Sequence, residues 1–175
     1  MANPSHRLQT QLIHAGEAQP RPAGAVVLPI YQSATFEHQG QGSYDQLRYL
    51  RLNNSPNHQA LHAVLAAISG AEAALVTASG MAAITTTLLS FAGAGDHLLA
   101  QDCLYGGTLS FLNEEAAALG IEVDFIKGND PASWARFLRP TTRLIYVETM
   151  TNPLLEVPEL EAVVGFARRR NLISV

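Results

Sequence analysis

The 175-residue chain predicts an α/β fold. The expected architecture is an incomplete three-layer sandwich, a mostly parallel sheet with helices on both faces, preceded by an extended N-terminal arm. Two observations carry this expectation. From Ser55 onward, short apolar or alternating runs take turns with runs of helical period, at a spacing that implies parallel pairing. Residues 1–56, by contrast, are rich in Pro, Gly, Gln, Asn and Ser and show no sustained periodicity. Such a segment buries little of itself, so it is expected to be flexible or to order against another surface, including a second subunit.

The elements follow in order. Ser55-Pro56 suits an N-cap and first helical position, Leu61, Val64, Leu65 and Ile68 share one helical face, and Gly70 ends the run. Ala73-Ala74-Leu75-Val76 reads as a short buried strand, Thr77–Gly80 as a turn and Met81–Phe91 as a helix. Leu98-Leu99-Ala100 is a second strand. Leu109, Leu112, Ala116 and Leu119 mark a helix that stops at Gly120. Ile121, Val123 and Phe125 alternate as a third strand, Pro131–Leu138 suits a short helix, and Leu144–Val147 is a fourth strand. A helix over Val157–Arg170 ends in Arg168, Arg169 and Arg170, which offset the negative end of its dipole. Leu172–Val175 reads as the opening of a fifth strand, so residues 57–175 are expected to be part of a domain cut within a strand.

Composition narrows the function classes. With 47% hydrophobic and 15% charged residues the chain supports a core rather than disorder. A net charge of -4 argues against a general nucleic-acid binder. The single cysteine, Cys103, excludes an internal disulfide framework and any multi-cysteine zinc site, and its setting suggests a bystander thiol. The polar stretch Met1–Gln11 lacks the apolar core of a signal peptide, which leaves the cytoplasm as the expected compartment. The 23 uncharged residues between Glu72 and Asp96 are long enough for a membrane span, yet their threonines, serines and glycines fit a buried strand and helix better. Ten of the 11 basic residues are arginine, and Lys127 is the only lysine.

In open parallel sheets ligands bind beyond the carboxyl ends of the strands. Three segments are expected there. In Thr77–Met81, Ser79 can cap the following helix, and the free amides of Gly80 and Met81 suit an anion, most naturally phosphate. An ordinary strand-to-helix turn explains the same residues. In Leu104–Thr108, Tyr105 projects at the edge and can stack on a planar ring, or simply pack locally. In Glu148–Pro153, Glu148 and Asn152 can hydrogen-bond a polar ligand, although both are common loop residues. There is no Gly-x-Gly-x-x-Gly and no Walker lysine. His58 and His62 lie one helical turn apart without a third ligand, so no metal site is expected.

The order and spacing of these segments are more telling than any one of them. With TQLIHAG at Thr10–Gly16, PIYQSATF at Pro29–Phe36, Tyr49-Leu50-Arg51, Ser79–Ile84, Gly95-Asp96-His97, Tyr105–Thr108 and Glu148–Pro153, the chain resembles the N-terminal part of the cysteine and methionine metabolism family of pyridoxal-phosphate enzymes. That family includes cystathionine gamma-synthase, the cystathionine lyases, methionine gamma-lyase and the homoserine sulfhydrylases. The resemblance implies pyridoxal 5'-phosphate as cofactor and the large-domain fold of fold-type I enzymes. It implies β- or γ-elimination, or γ-replacement, on sulfur-containing or activated homoserine-type amino acids. By the resemblance, Gly80 and Met81 form the phosphate turn and Tyr105 stacks on the cofactor ring, with Ser79 and Glu148 as possible additional contacts. Asn152 would sit beside the phenolic oxygen. Tyr49 and Arg51 would reach the phosphate of a neighbouring subunit, for which a bidentate guanidinium is suited. A homodimer or homotetramer follows, with no nucleic-acid partner and no membrane.

The chain also departs from the family. Leu50 replaces a common serine, and Asn53–His58 differs from the usual Asn-Pro-Thr. The family carries its cofactor on a lysine and holds the pyridine nitrogen with an aspartate, and neither is expected within these residues. Lys127 lies in a turn-like setting that does not match the family's lysine. The chain alone is therefore expected to be inactive. The alternative is a non-catalytic cofactor-binding or interaction module that pairs with a full-length relative, and a plain nucleotide-binding α/β domain is the generic rival.

Overall fold

The computed structural model describes residues 7–40 and 42–175. Met1–His6, the first half of the polar stretch searched for a leader, lie outside the described residues. The chain folds as two compact units, one running to Thr77 and the other spanning Ala78–Val175.

The second unit is built on β1 (His97–Gln101), β2 (Glu122–Ile126), β3 (Thr142–Tyr146) and β4 (Ile173–Ser174), all parallel, in the order β2-β1-β3-β4. Leu98 pairs with Val123 on one side and Leu144 on the other, with a register shift between His97 and Leu98 on the β3 side. Side chains alternate across a strand, so the two central strands feed two cores. Leu98, Ala100, Leu144 and Tyr146 join Leu88, Leu112 and Ala116 on one face. Leu99 and Ile145 join Ile126, Trp134, Val163 and Phe166 on the other. The Trp134 ring meets Phe166 edge-on at 5.5 Å, and its indole N–H donates to the Lys127 carbonyl at 2.7 Å. These two faces, each covered by helical segments, are the expected three layers.

The caps explain where the helices start. Ser79 Oγ accepts from the Ala82 N–H at 3.0 Å and opens α3 (Gly80–Phe91). After β1, α4 (Gly106–Ser110) runs into a π-helical turn over Phe111–Ala116 where an unbroken α-helix was expected. The buried positions Leu112 and Ala116 still face the core as their spacing predicted. The helix expected over Pro131–Leu138 shrinks to a 3-10 turn at Trp134–Phe137, and α5 spans Leu160–Arg170 rather than starting at Val157. Asn171 ends α5 in the left-handed conformation behind the three arginines.

At the amino ends of the strands, His97 is fully buried, with Nδ1 2.8 Å from Thr142 Oγ1 and Nε2 3.3 Å from Asp124 Oδ2. Arg139 pairs with Glu122 and Asp124 beside it. Burial holds the His97 imidazole below its ordinary range, aided by the Arg139 charge and opposed by Asp124 and Glu122.

In the first unit, α1 (Leu8–His14) and α2 (Pro56–Ser69) pack together at Gly16, where an added Cβ would lie 2.7 Å from the Val64 nitrogen. Gly16 also takes φ +73, so both space and backbone demand glycine. The expected α2 signals hold: Ser55 Oγ accepts from the His58 N–H and Gly70 caps the far end with φ 63. Between the helices the segment is irregular, with 3-10 turns at Pro22–Gly24, Tyr44–Gln46 and Leu50–Leu52 and one antiparallel bridge from Thr35 to Tyr49. The strand expected at Ala73–Val76 does not form; the segment joins no ladder, and Leu75 is 64% exposed. A strand exists only by sharing a ladder with a neighbour, and here the four paired strands lie entirely in the other unit. The Val76 carbonyl instead accepts from Asn53 Nδ2 at 2.7 Å.

Candidate functional site

Two of the expected segments meet at the carboxyl edge of the sheet. With Ala82 N–H taken by Ser79, the Gly80 and Met81 N–H groups head α3 without an intrahelical acceptor. An added Cβ on Gly80 would touch nothing within 4 Å, so the backbone there is open to approach. Tyr105 follows β1 and caps α4; its carbonyl accepts from the Leu109 N–H at 3.0 Å.

Gly107 ties the two segments together. A Cβ at this position would lie 2.7 Å from Tyr105 Cε1 and 3.2 Å from Met81 Sδ. The tyrosine ring and the first turn of α3 therefore converge over one glycine, with Tyr105 half exposed above it. Beneath them Thr108 is fully buried and its hydroxyl lies 3.9 Å from Met81 Sδ. Burial pushes the Tyr146 phenol above its ordinary range, and a hydrogen bond with Thr108 opposes that shift.

Glu148 enters the same edge after β3. Its two carboxylate oxygens accept from the Tyr105 N–H at 3.0 and 3.1 Å, and its own N–H donates to Gln101 Oε1 at 3.2 Å. Asn152 follows on the same loop as Glu148. It is exposed, joined to Pro153 by a cis peptide bond, and lines a cleft of about 490 Å³ with Asp102, Cys103, Lys127 and Glu156. The loop holding it closes on buried Thr151, whose hydroxyl accepts from the Glu156 N–H at 2.9 Å.

The group at Gly80, Met81 and Tyr105 is suited to a phosphorylated planar ligand, having amide donors for an anion and an aromatic face beside them. The description "Cys/Met metabolism PLP-dependent enzyme" matches residues 9–175. The chain belongs to this family. Within the Cys/Met metabolism family it is 39% identical to a probable cystathionine gamma-synthase of Herpetosiphon aurantiacus, over 95% of this chain and 51% of that protein. It is 34% identical to a cystathionine gamma-lyase of Bacillus subtilis, over 95% of this chain and 44% of that one. Among solved structures, cystathionine gamma-lyase from Lactobacillus plantarum complexed with L-serine superposes with a TM-score of 0.86 at 34% identity, covering 97% of this chain and 44% of that one. The chain thus spans about half the length of the curated relatives it matches. The family is dependent on pyridoxal phosphate.

Tyr49 and Arg51 lie in the other unit, where they are paired with each other. Arg51 Nε donates to the Tyr49 hydroxyl oxygen at 2.9 Å, and the guanidinium lies 5.0 Å from the Tyr49 ring centre. Tyr49 is itself held by the bridge to Thr35 and by its N–H donating to Asn54 Oδ1 at 2.9 Å. Lys127 is exposed and lies 3.6 Å from Asp102 Oδ2. Among the described residues no group of three metal-ligating side chains forms, and no helix is long and apolar enough to cross a membrane.

Sequence reasoning missed Gln101 and the steric role of Gly107. A polar residue directly after the apolar run Leu98-Leu99-Ala100 was the available signal for Gln101. For Gly107 it was a second glycine directly after Tyr105-Gly106.

Proposed function

We propose that this chain supplies the phosphate turn and the ring-stacking wall of a pyridoxal-phosphate enzyme. Its reaction class is β- or γ-elimination, or γ-replacement, on sulfur-containing or activated homoserine-type amino acids. The observation that carries this reading is the convergence of the Tyr105 ring and Met81 over Gly107. It sets the aromatic ring beside the Met81 side chain, in the first turn of the helix whose Gly80 and Met81 amides suit a phosphate. When bound, the cofactor supplies an electron sink for a carbanion at the substrate's α carbon. The chain's own residues do the holding. Gly80 and Met81 bind the phosphate through backbone N–H groups, Ser79 keeps that turn capped, Tyr105 covers one face of the ring, and Asn152 approaches its phenolic oxygen. Tyr49 and Arg51 reach the phosphate in a neighbouring copy within a homodimer or homotetramer. The similar protein solved with L-serine supports an amino acid as the substrate class. A cytoplasmic setting is part of the proposal.

The residues present carry no turnover by themselves, because the sole lysine, Lys127, faces Asp102 at the surface. Titration with pyridoxal phosphate, followed by equilibrium dialysis against NAD as competitor, tests the reading. The expected result is preferential uptake of pyridoxal phosphate that Tyr105→Ala weakens and Lys127→Ala leaves unchanged. Equal uptake of the dinucleotide would overturn it, as would a visible cofactor band that disappears in Lys127→Ala.

A further inference from the structure

We infer that Glu148 is the positioning residue for Tyr105, and that buried Gln101 is its anchor. This rests on the reading of Tyr105 as the ring-stacking side chain. Tyr105 has no side-chain cap of its own, and it is the junction between β1 and α4. Its carbonyl is held from one side by the Leu109 N–H. The other side is held through its N–H, which both oxygens of Glu148 accept. A charged acceptor makes that bond about twice as strong as a neutral one. The bond spans 43 positions of sequence, so it ties the end of β3 to the start of α4.

Glu148 is in turn fixed at its own backbone. Its N–H donates to Gln101 Oε1, and Gln101 is 2% exposed. Gly128 leaves room for that amide: an added Cβ there would lie 2.8 Å from Gln101 Nε2. The resulting line runs from a buried amide, through the Glu148 backbone and carboxylate, to the Tyr105 backbone and so to the ring over Gly107. With the carboxylate gone, the Tyr105 N–H loses its acceptor and the ring loses a bond that orients it. Glu148 thus acts on the cofactor through Tyr105.

The test uses the full chain labelled with 15N-tyrosine, observed by NMR across the acidic pH range, with Tyr105→Phe to identify the Tyr105 signal. The Tyr105 amide proton is expected to move as the Glu148 carboxylate protonates, and this movement disappears in Glu148→Gln. The other four tyrosine amides report whether that variant keeps its fold. In parallel, Glu148→Ala is expected to weaken pyridoxal phosphate uptake about tenfold, the loss of one charge-assisted hydrogen bond. Glu148→Gln, which retains an acceptor oxygen, should lose less. A Tyr105 amide that titrates unchanged in Glu148→Gln, or full uptake by Glu148→Ala, overturns the inference. If the amide tracks Glu148 but the unaltered chain takes up no pyridoxal phosphate, the contact stands and the cofactor reading falls.

Discussion

At the scale of single residues, Gly107 and Ser79 do different work at the same edge. Gly107 is a space requirement: an alanine methyl would sit 2.7 Å from Tyr105 Cε1, closer than carbon atoms approach, so the ring must move. Gly107→Ala is therefore expected to weaken pyridoxal phosphate uptake while the urea midpoint changes little, since the displaced ring is half exposed. Ser79 is a cap. Ser79→Ala leaves the Ala82 N–H without its acceptor and should cost about 1 kcal/mol of stability, read from the same urea midpoint. The two variants separate geometry from stability at one site. The cap was legible in the sequence because it is a local hydrogen bond three residues long. The convergence over Gly107 was not, because it joins residues from two helices and depends on where the sheet sets them.

Among the elements, the sheet edge opposite the site is the acid-sensitive one. His97 is buried between Thr142 and Asp124, with its folded pKa held below the unfolded value of about 6.5 by burial and the Arg139 charge. The folded state then binds fewer protons than the unfolded one below that value. Stability is fully present above about pH 6.5 and declines as pH falls through the unfolded value toward the folded one. Urea midpoints measured at pH 7.5 and at pH 5.5 should show this loss, and His97→Gln should flatten it. An equal decline in the variant would assign the acid sensitivity to other groups. Apolar runs at strands β1 and β3 predicted their burial well, since a central parallel strand is covered on both faces. Ala73–Val76 was misread for a related reason: an apolar run states that a strand is possible, whereas pairing requires a neighbour at the right place. The π-helical turn at Phe111–Ala116 had no sequence signal, because the buried spacing it preserves is equally that of an α-helix.

For the whole molecule, the expected site residues divide between two compact units. Gly80, Met81, Tyr105 and Glu148 belong to one, and Tyr49 and Arg51 to the other. The Arg51 guanidinium already holds a phenolic oxygen, so it is oriented before any phosphate arrives. If it serves a neighbouring copy, pyridoxal phosphate affinity should rise with protein concentration as copies associate, and Arg51→Ala should flatten that dependence. Dialysis at several protein concentrations, paired with light scattering, checks this. An affinity independent of concentration in the unaltered chain would remove the cross-subunit role.

By itself the sequence determined the fold class, the alternation of strands and helices, the serine caps of α2 and α3, and the family. All of these rest on local period, local hydrogen bonds or the joint order of short motifs. Only the tertiary structure decided that Ala73–Val76 goes unpaired, that Met81 and Tyr105 share the space over Gly107, and that Gln101 and Glu148 hold Tyr105 in place. Each of these depends on contacts made or missed between residues distant in the chain, and such contacts are set by strand order and register, which no local pattern encodes.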